Sequence, residues 1–96
     1  MNKTSNTLKL IDGEFSCNDA KEILMNIFAN KIQYHEKKNL HSIITTGKPD
    51  DNSQLRIDQL KQNVQELNQI IEEAQSNYFT IKLNSNIEIQ FLKNEN

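Results

Sequence analysis

Two histidines, a cysteine and a small group of acids are the residues in this chain whose types could do chemistry. His35 and His41 are six positions apart, so on one helix they fall on opposite faces and share no metal ion without further ligands. Cys17 stands at the start of an expected helix beside Glu14, Asp19 and Glu22, whose negative charge works against a nucleophilic thiolate. No histidine lies at a recognisable catalytic spacing from it, and a structural thiol is the reading favoured. "DGEF" brings Asp12 and Glu14 near Asp19, but the ligand series of a calcium loop is missing, and turn formation and helix capping account for the same residues. Gly13 and Gly47 are the only glycines, too few for a glycine-rich phosphate loop. The expectation is a protein that is not an enzyme, with no catalytic residue, no cofactor and no metal.

Charge is unevenly placed. Lys31, Lys37, Lys38, His41 and Lys48 form a basic stretch, against Asp58, Glu66, Glu72 and Glu73 further on. Solvated surface and ion pairs between helices explain this pattern most simply. The functional alternative is an anion contact through Lys31, Lys37, Lys38 and Lys48, which would suit a nucleic-acid-associated regulator. Tyr34 is the sole aromatic nearby, so base stacking has little support. The whole chain carries a net charge of −2 and a pI of about 5.6, which gives no global attraction to nucleic acid or anionic membranes.

The elements that must hold these residues follow from length and periodicity. Ninety-six residues suffice for one domain, and with 35% hydrophobic residues and a mean hydropathy of −0.73 its core must be small. A lone cysteine and a polar start, "MNKTSNTLKL", point to a reducing, cytoplasmic setting, and no apolar run approaches the roughly 20 residues of a membrane span. Residues 1–6 and 93–96 are expected to be polar tails around a single domain at 7–92.

"TLKLI" alternates and meets Asp12-Gly13, which predicts a short strand followed by a turn. Ser16, with Asp19 three residues on, predicts a helix start, followed by a stripe of Ala20, Ile23, Leu24, Ile27, Phe28 and Ile32. The β-branched run after Leu40, with Gly47 and Pro49, places the break between about Leu40 and Pro49. A second helix starts among Asp50, Asp51, Asn52 and Ser53 and ends near Ser76 and Asn77.

In "YFTIKLNSNIEIQFL" Phe79, Ile81, Leu83, Ile87, Ile89 and Phe91 share one face. A three-residue loop Asn84-Ser85-Asn86 would pair Leu83 with Ile87, Ile81 with Ile89 and Phe79 with Phe91, so a hairpin is predicted. One unbroken strand is the alternative. The expected fold is α+β: a small antiparallel sheet, in β-α-α-β-β order, packed against a long antiparallel helical hairpin.

The second helix carries Ile57, Leu60, Val64, Leu67, Ile71 and Ala74 at spacings of three and four among Gln and Asn. Its first partner is helix one of the same chain, since the flanking positions lack the opposite-charge pattern of a coiled coil. The helices outrun any six-residue strand, so the hairpin tip stays partly uncovered. A second copy would cover it, giving a homodimer with Ile43, Ile44, Leu55, Ile57 and Leu60 at the interface; a different protein at the tip is the other occupant considered. The expected function is a small interaction or regulatory module that self-associates through its helical hairpin.

Overall fold

The computed structural model describes residues 5–94. Its elements run β1 (Ser5–Phe15), α1 (Cys17–Thr46), α2 (Asp51–Ser76) and β2 (Ile81–Gln90), an α+β chain with a two-stranded antiparallel sheet and a helical hairpin.

Helix α1 begins where the capping residues predict. Ser16 has an extended backbone, and its Oγ accepts the Asp19 N–H at 3.1 Å. The helix carries through the β-branched run because Thr45 and Thr46 turn their hydroxyls back, donating to the carbonyls of His41 at 2.9 Å and Ser42 at 2.7 Å. Gly47 stops it: at φ 81° it occupies the left-handed region and donates its N–H to the Ile43 carbonyl. After Asp50 the chain reverses into α2, which ends as Asn77 and Phe79 donate to the carbonyls of Glu73 and Ala74, with Tyr78 at φ 59°.

The two helices lie antiparallel. Leu67 and Ile71 of α2 cluster with Ala20 of α1, and Leu24, Met25 and Phe28 close around them. Ile57 and Leu60 continue the buried row towards the tip. At the base Gln75 Nε2 donates to Asn18 Oδ1 at 3.4 Å, and near the tip Asn39 Nδ2 donates to Gln54 Oε1 at 3.0 Å, so the register is held at both ends.

Three sequence expectations change. The segment after α2 is one unbroken strand pairing with β1 along its whole length, so the turn at Asn84-Ser85-Asn86 and the third strand do not form. Alternation keeps the odd residues on one face in either arrangement, and the long partner strand β1 supplies the hydrogen bonds a local hairpin would have made. That partner is long because Asp12-Gly13 does not turn. Gly13 stays in strand opposite Leu83, and the Phe15 ring lies over it, with its Cζ 3.3 Å from where a Cβ would stand. An aromatic ring covering a strand glycine replaces the packing that the glycine lacks. At the other end Ser5 and Asn6, expected in the tail, are strand residues opposite Gln90 and Ile89.

A bulge at Leu10, between the pairs Lys9↔Asn86 and Ile11↔Ser85, decides which face of β1 is apolar. Directly opposed residues share a face, so Phe15, Gly13 and Ile11 lie with Ile81, Leu83 and Ser85. In strict alternation Leu8 would point the other way; the extra residue brings it opposite Ile87, onto the same face. The ribbon thereby gains a continuous apolar stripe, of which only the inner part, Phe15, Ile81 and Leu83, packs on the helical core.

The molecule is therefore broad and flat. Its principal-axis extents are 54 × 45 × 14 Å. Laid end to end, hairpin and ribbon would need roughly 75 Å, so the ribbon stands at a wide angle to the helices. The radius of gyration, 17.5 Å, compares with about 12.5 Å for a globular chain of this length.

Candidate functional site

The residues first considered for chemistry are dispersed. Cys17 is half-buried at the corner where ribbon and hairpin meet, and its Sγ donates to the Phe79 carbonyl at 3.2 Å, tying the start of α1 to the chain leaving α2. Asp12 pairs with Lys9 at 3.3 Å, and Asp19 contributes its backbone N–H to the helix cap. His35 faces the helix seam, with Nδ1 3.3 Å from Ser53 Oγ, while His41 is exposed near the tip. Among the described residues no three His, Cys, Asp or Glu side chains converge on a common point.

Lys31, Lys37 and Lys38 are exposed along α1, and Lys48 follows it. Lys31 Nζ lies 6.0 Å from the Tyr34 ring centroid. Lys38 borders a hollow of about 310 Å³ with His41, Ser42, Thr45, Asp50 and Asn52. Lys37 projects about 100° around the helix from Lys38, and Lys48 sits in the loop.

One feature of the seam goes beyond its apolar period: near the tip it turns polar. Asn39 and Ser53 are buried, at 8% and 1% exposure. Asn39 donates to Gln54 and accepts the Asp50 N–H at 3.0 Å, and Ser53 Oγ donates to Asp50 Oδ2 at 2.8 Å while meeting His35. Among the described residues every buried side-chain nitrogen and oxygen has a partner. A satisfied network of this kind fixes which residues face each other, because slipping the helices would leave buried polar groups unpaired. The signal lies in the sequence: on the period of Ile57 and Leu60 the next position towards the tip is Ser53, a residue whose type also suits a helix cap.

The five residues expected at a hairpin interface separate. Ile57 and Leu60 are 4% and 3% exposed and belong to the seam of their own chain. Ile43, Ile44 and Leu55 remain on the surface, with Leu40 beside them.

A second exposed apolar surface lies at the other end of the molecule. Leu8, Ile87 and Ile89 lie on the outer half of the ribbon stripe, and Tyr78, Phe79, Phe91 and Leu92 flank β2 on both sides, all of them exposed. The outer edge of β2 has no strand beside it among the described residues. In total the chain exposes 8135 Å², where a globular monomer of 11.2 kDa exposes about 5,700 Å².

Comparison with known protein families, with curated proteins and with solved structures finds no match to this chain. Among the described residues no helix is long and apolar enough to cross a membrane.

Proposed function

We propose that this chain is a non-enzymatic protein-interaction module that works as a self-associated unit, with the helical hairpin held out as an arm. The observation that carries this reading is extension: the outer half of the ribbon, with Leu8, Ile87 and Ile89 exposed, reaches past the helical core and is covered by nothing among the described residues. Stable domains close an apolar core between at least two layers, because a helix or sheet has an apolar face to bury. The outer half of the ribbon has no such layer over it among the described residues, and about 2,400 Å² of surface stands in excess of a globular monomer's. A second copy needs no further gene product and closes by two-fold symmetry. Ile43, Ile44 and Leu55 at the tip then remain as the arm's own contact surface.

Sedimentation equilibrium of the intact chain over a range of concentrations, at low and high salt, tests the proposal. The expected result is a mass twice 11.2 kDa that persists as salt rises, since burial of apolar surface is not screened. A monomer at every concentration would overturn it.

A further inference from the structure

The pattern that suggested a hairpin within β2 has a second solution, which the structure leaves open. Residues 81–89 read "IKLNSNIEI", nearly the same in both directions about Ser85. Ile81 mirrors Ile89, Leu83 mirrors Ile87 and Asn84 mirrors Asn86, while Lys82 mirrors Glu88 with the opposite charge. Two residues further out on each side, Phe79 mirrors Phe91. A single strand cannot satisfy such a pattern against itself, and its pairing with β1 makes no use of the symmetry: Lys82 lies opposite Glu14, and Glu88 opposite Thr7. Two copies of the strand, antiparallel about a two-fold axis, satisfy it at every position.

We infer that β2 pairs with β2 of a second copy of this chain, edge to edge about a two-fold axis at Ser85, to form a continuous four-stranded antiparallel sheet. This rests on the self-association proposed above and says where it occurs.

Four observations support the assignment. Among the described residues the outer edge of β2 is free, regular and without proline or bulge across Ile81–Gln90. The outer edge of β1 is guarded by its bulge, a feature that discourages edge pairing. Mirror pairing sets Lys82 opposite Glu88 of the second copy twice, and opposed unlike charges stabilise a cross-strand pair where like charges destabilise it. An axis perpendicular to the sheet also keeps the apolar stripes of both ribbons on one face. The exposed Ile87 and Ile89 then stand beside Leu83 and Ile81 of the second copy, which are packed on that copy's helical core. The isolated outer half of each ribbon becomes a continuation of the other chain's core, and Phe79 meets Phe91 across the axis.

Cross-linking at the axis tests this. In a Cys17→Ser background, Ser85→Cys places two thiols opposite each other, within the Cα separation of about 4.5–5.5 Å that an antiparallel pair provides and a disulfide accepts. Mild oxidation of this variant is expected to give a covalent dimer. Ile44→Cys, at the hairpin tip, serves as the comparison and is expected to stay uncrosslinked. If the intact chain sediments as a dimer and Ile44→Cys crosslinks while Ser85→Cys does not, the β2 assignment is overturned and self-association stands. A monomeric intact chain overturns both.

A charge exchange guards against misfolding of either cysteine variant. Glu88→Lys sets like charges opposite each other twice in its own dimer, and so does Lys82→Glu, made together with Glu14→Lys so that the pair within the ribbon keeps unlike charges; each is expected to raise the dimer dissociation constant roughly tenfold or more. Mixed together, the two variants carry complementary charges at all four positions and should recover the original affinity as a heterodimer. Failure of the mixture to recover would overturn the mirror register.

Discussion

At the scale of single residues, the polar end of the helix seam and the corner at Tyr78 carry the sharpest consequences. Asn39 satisfies both the Gln54 side chain and the Asp50 N–H at the start of α2. Asn39→Ala leaves that N–H without its partner and is expected to lower stability by about 1–3 kcal/mol, read from urea unfolding monitored by far-UV circular dichroism. Tyr78 is 95% exposed and holds φ 59°, a conformation costing an L-residue with a Cβ roughly 1–2 kcal/mol. Tyr78→Gly relieves that strain at the price of a more flexible unfolded chain, so a net gain of about 0.5–1 kcal/mol is expected in the same measurement. Much at this scale was legible beforehand, since Ser16 as cap and Gly47 as break follow from side-chain chemistry alone. Asn39 was not, because its burial depends on which helix face meets α2 at the tip, and the apolar stripe of α1 loses its period there.

At the scale of elements, helix boundaries and pairing follow from caps and from the three-four seam, while the strands show where local pattern is insufficient. The odd-residue alternation of β2 is the same for a hairpin, a single strand or a strand meeting its own copy, so sequence alone leaves three answers. What separates them is the length of β1, which depends on Gly13 staying extended under Phe15. The seam gives a clean contrast in substitution. Ile57→Asp buries a carboxylate at a position only 4% exposed and is expected to unfold the hairpin, with loss of helical circular dichroism, rather than to separate folded chains. Ile44→Asp, at a position 73% exposed, should change stability by no more than about 0.5 kcal/mol. Equal losses from the two would contradict the placement of Ile57 in the seam.

At the scale of the whole molecule, the governing fact is a ribbon that reaches past the core it is built on. Periodicity shows which face of each element is apolar, yet it is silent on what covers that face, so the flatness of the fold and its excess surface become visible only in three dimensions. Overhang of the hairpin follows from element lengths; the ribbon extending outward past the hairpin's base does not, because the bulge at Leu10 that unifies its apolar face leaves no clear mark in the sequence. Self-association through β2 accounts for the free strand edge, the mirrored sequence and the exposed Ile87 and Ile89 together.

Amide hydrogen exchange along β2, followed residue by residue by NMR in the unaltered chain, reaches this claim most directly. In a two-stranded ribbon only every second amide of β2 points at β1 and is hydrogen-bonded, whereas a strand paired on both sides protects both alternating sets. The account predicts slow exchange at consecutive amides from Lys82 to Ile89, with the outward set losing protection on dilution as the dimer separates. Protection of alternate amides only, unchanged by protein concentration, would contradict it.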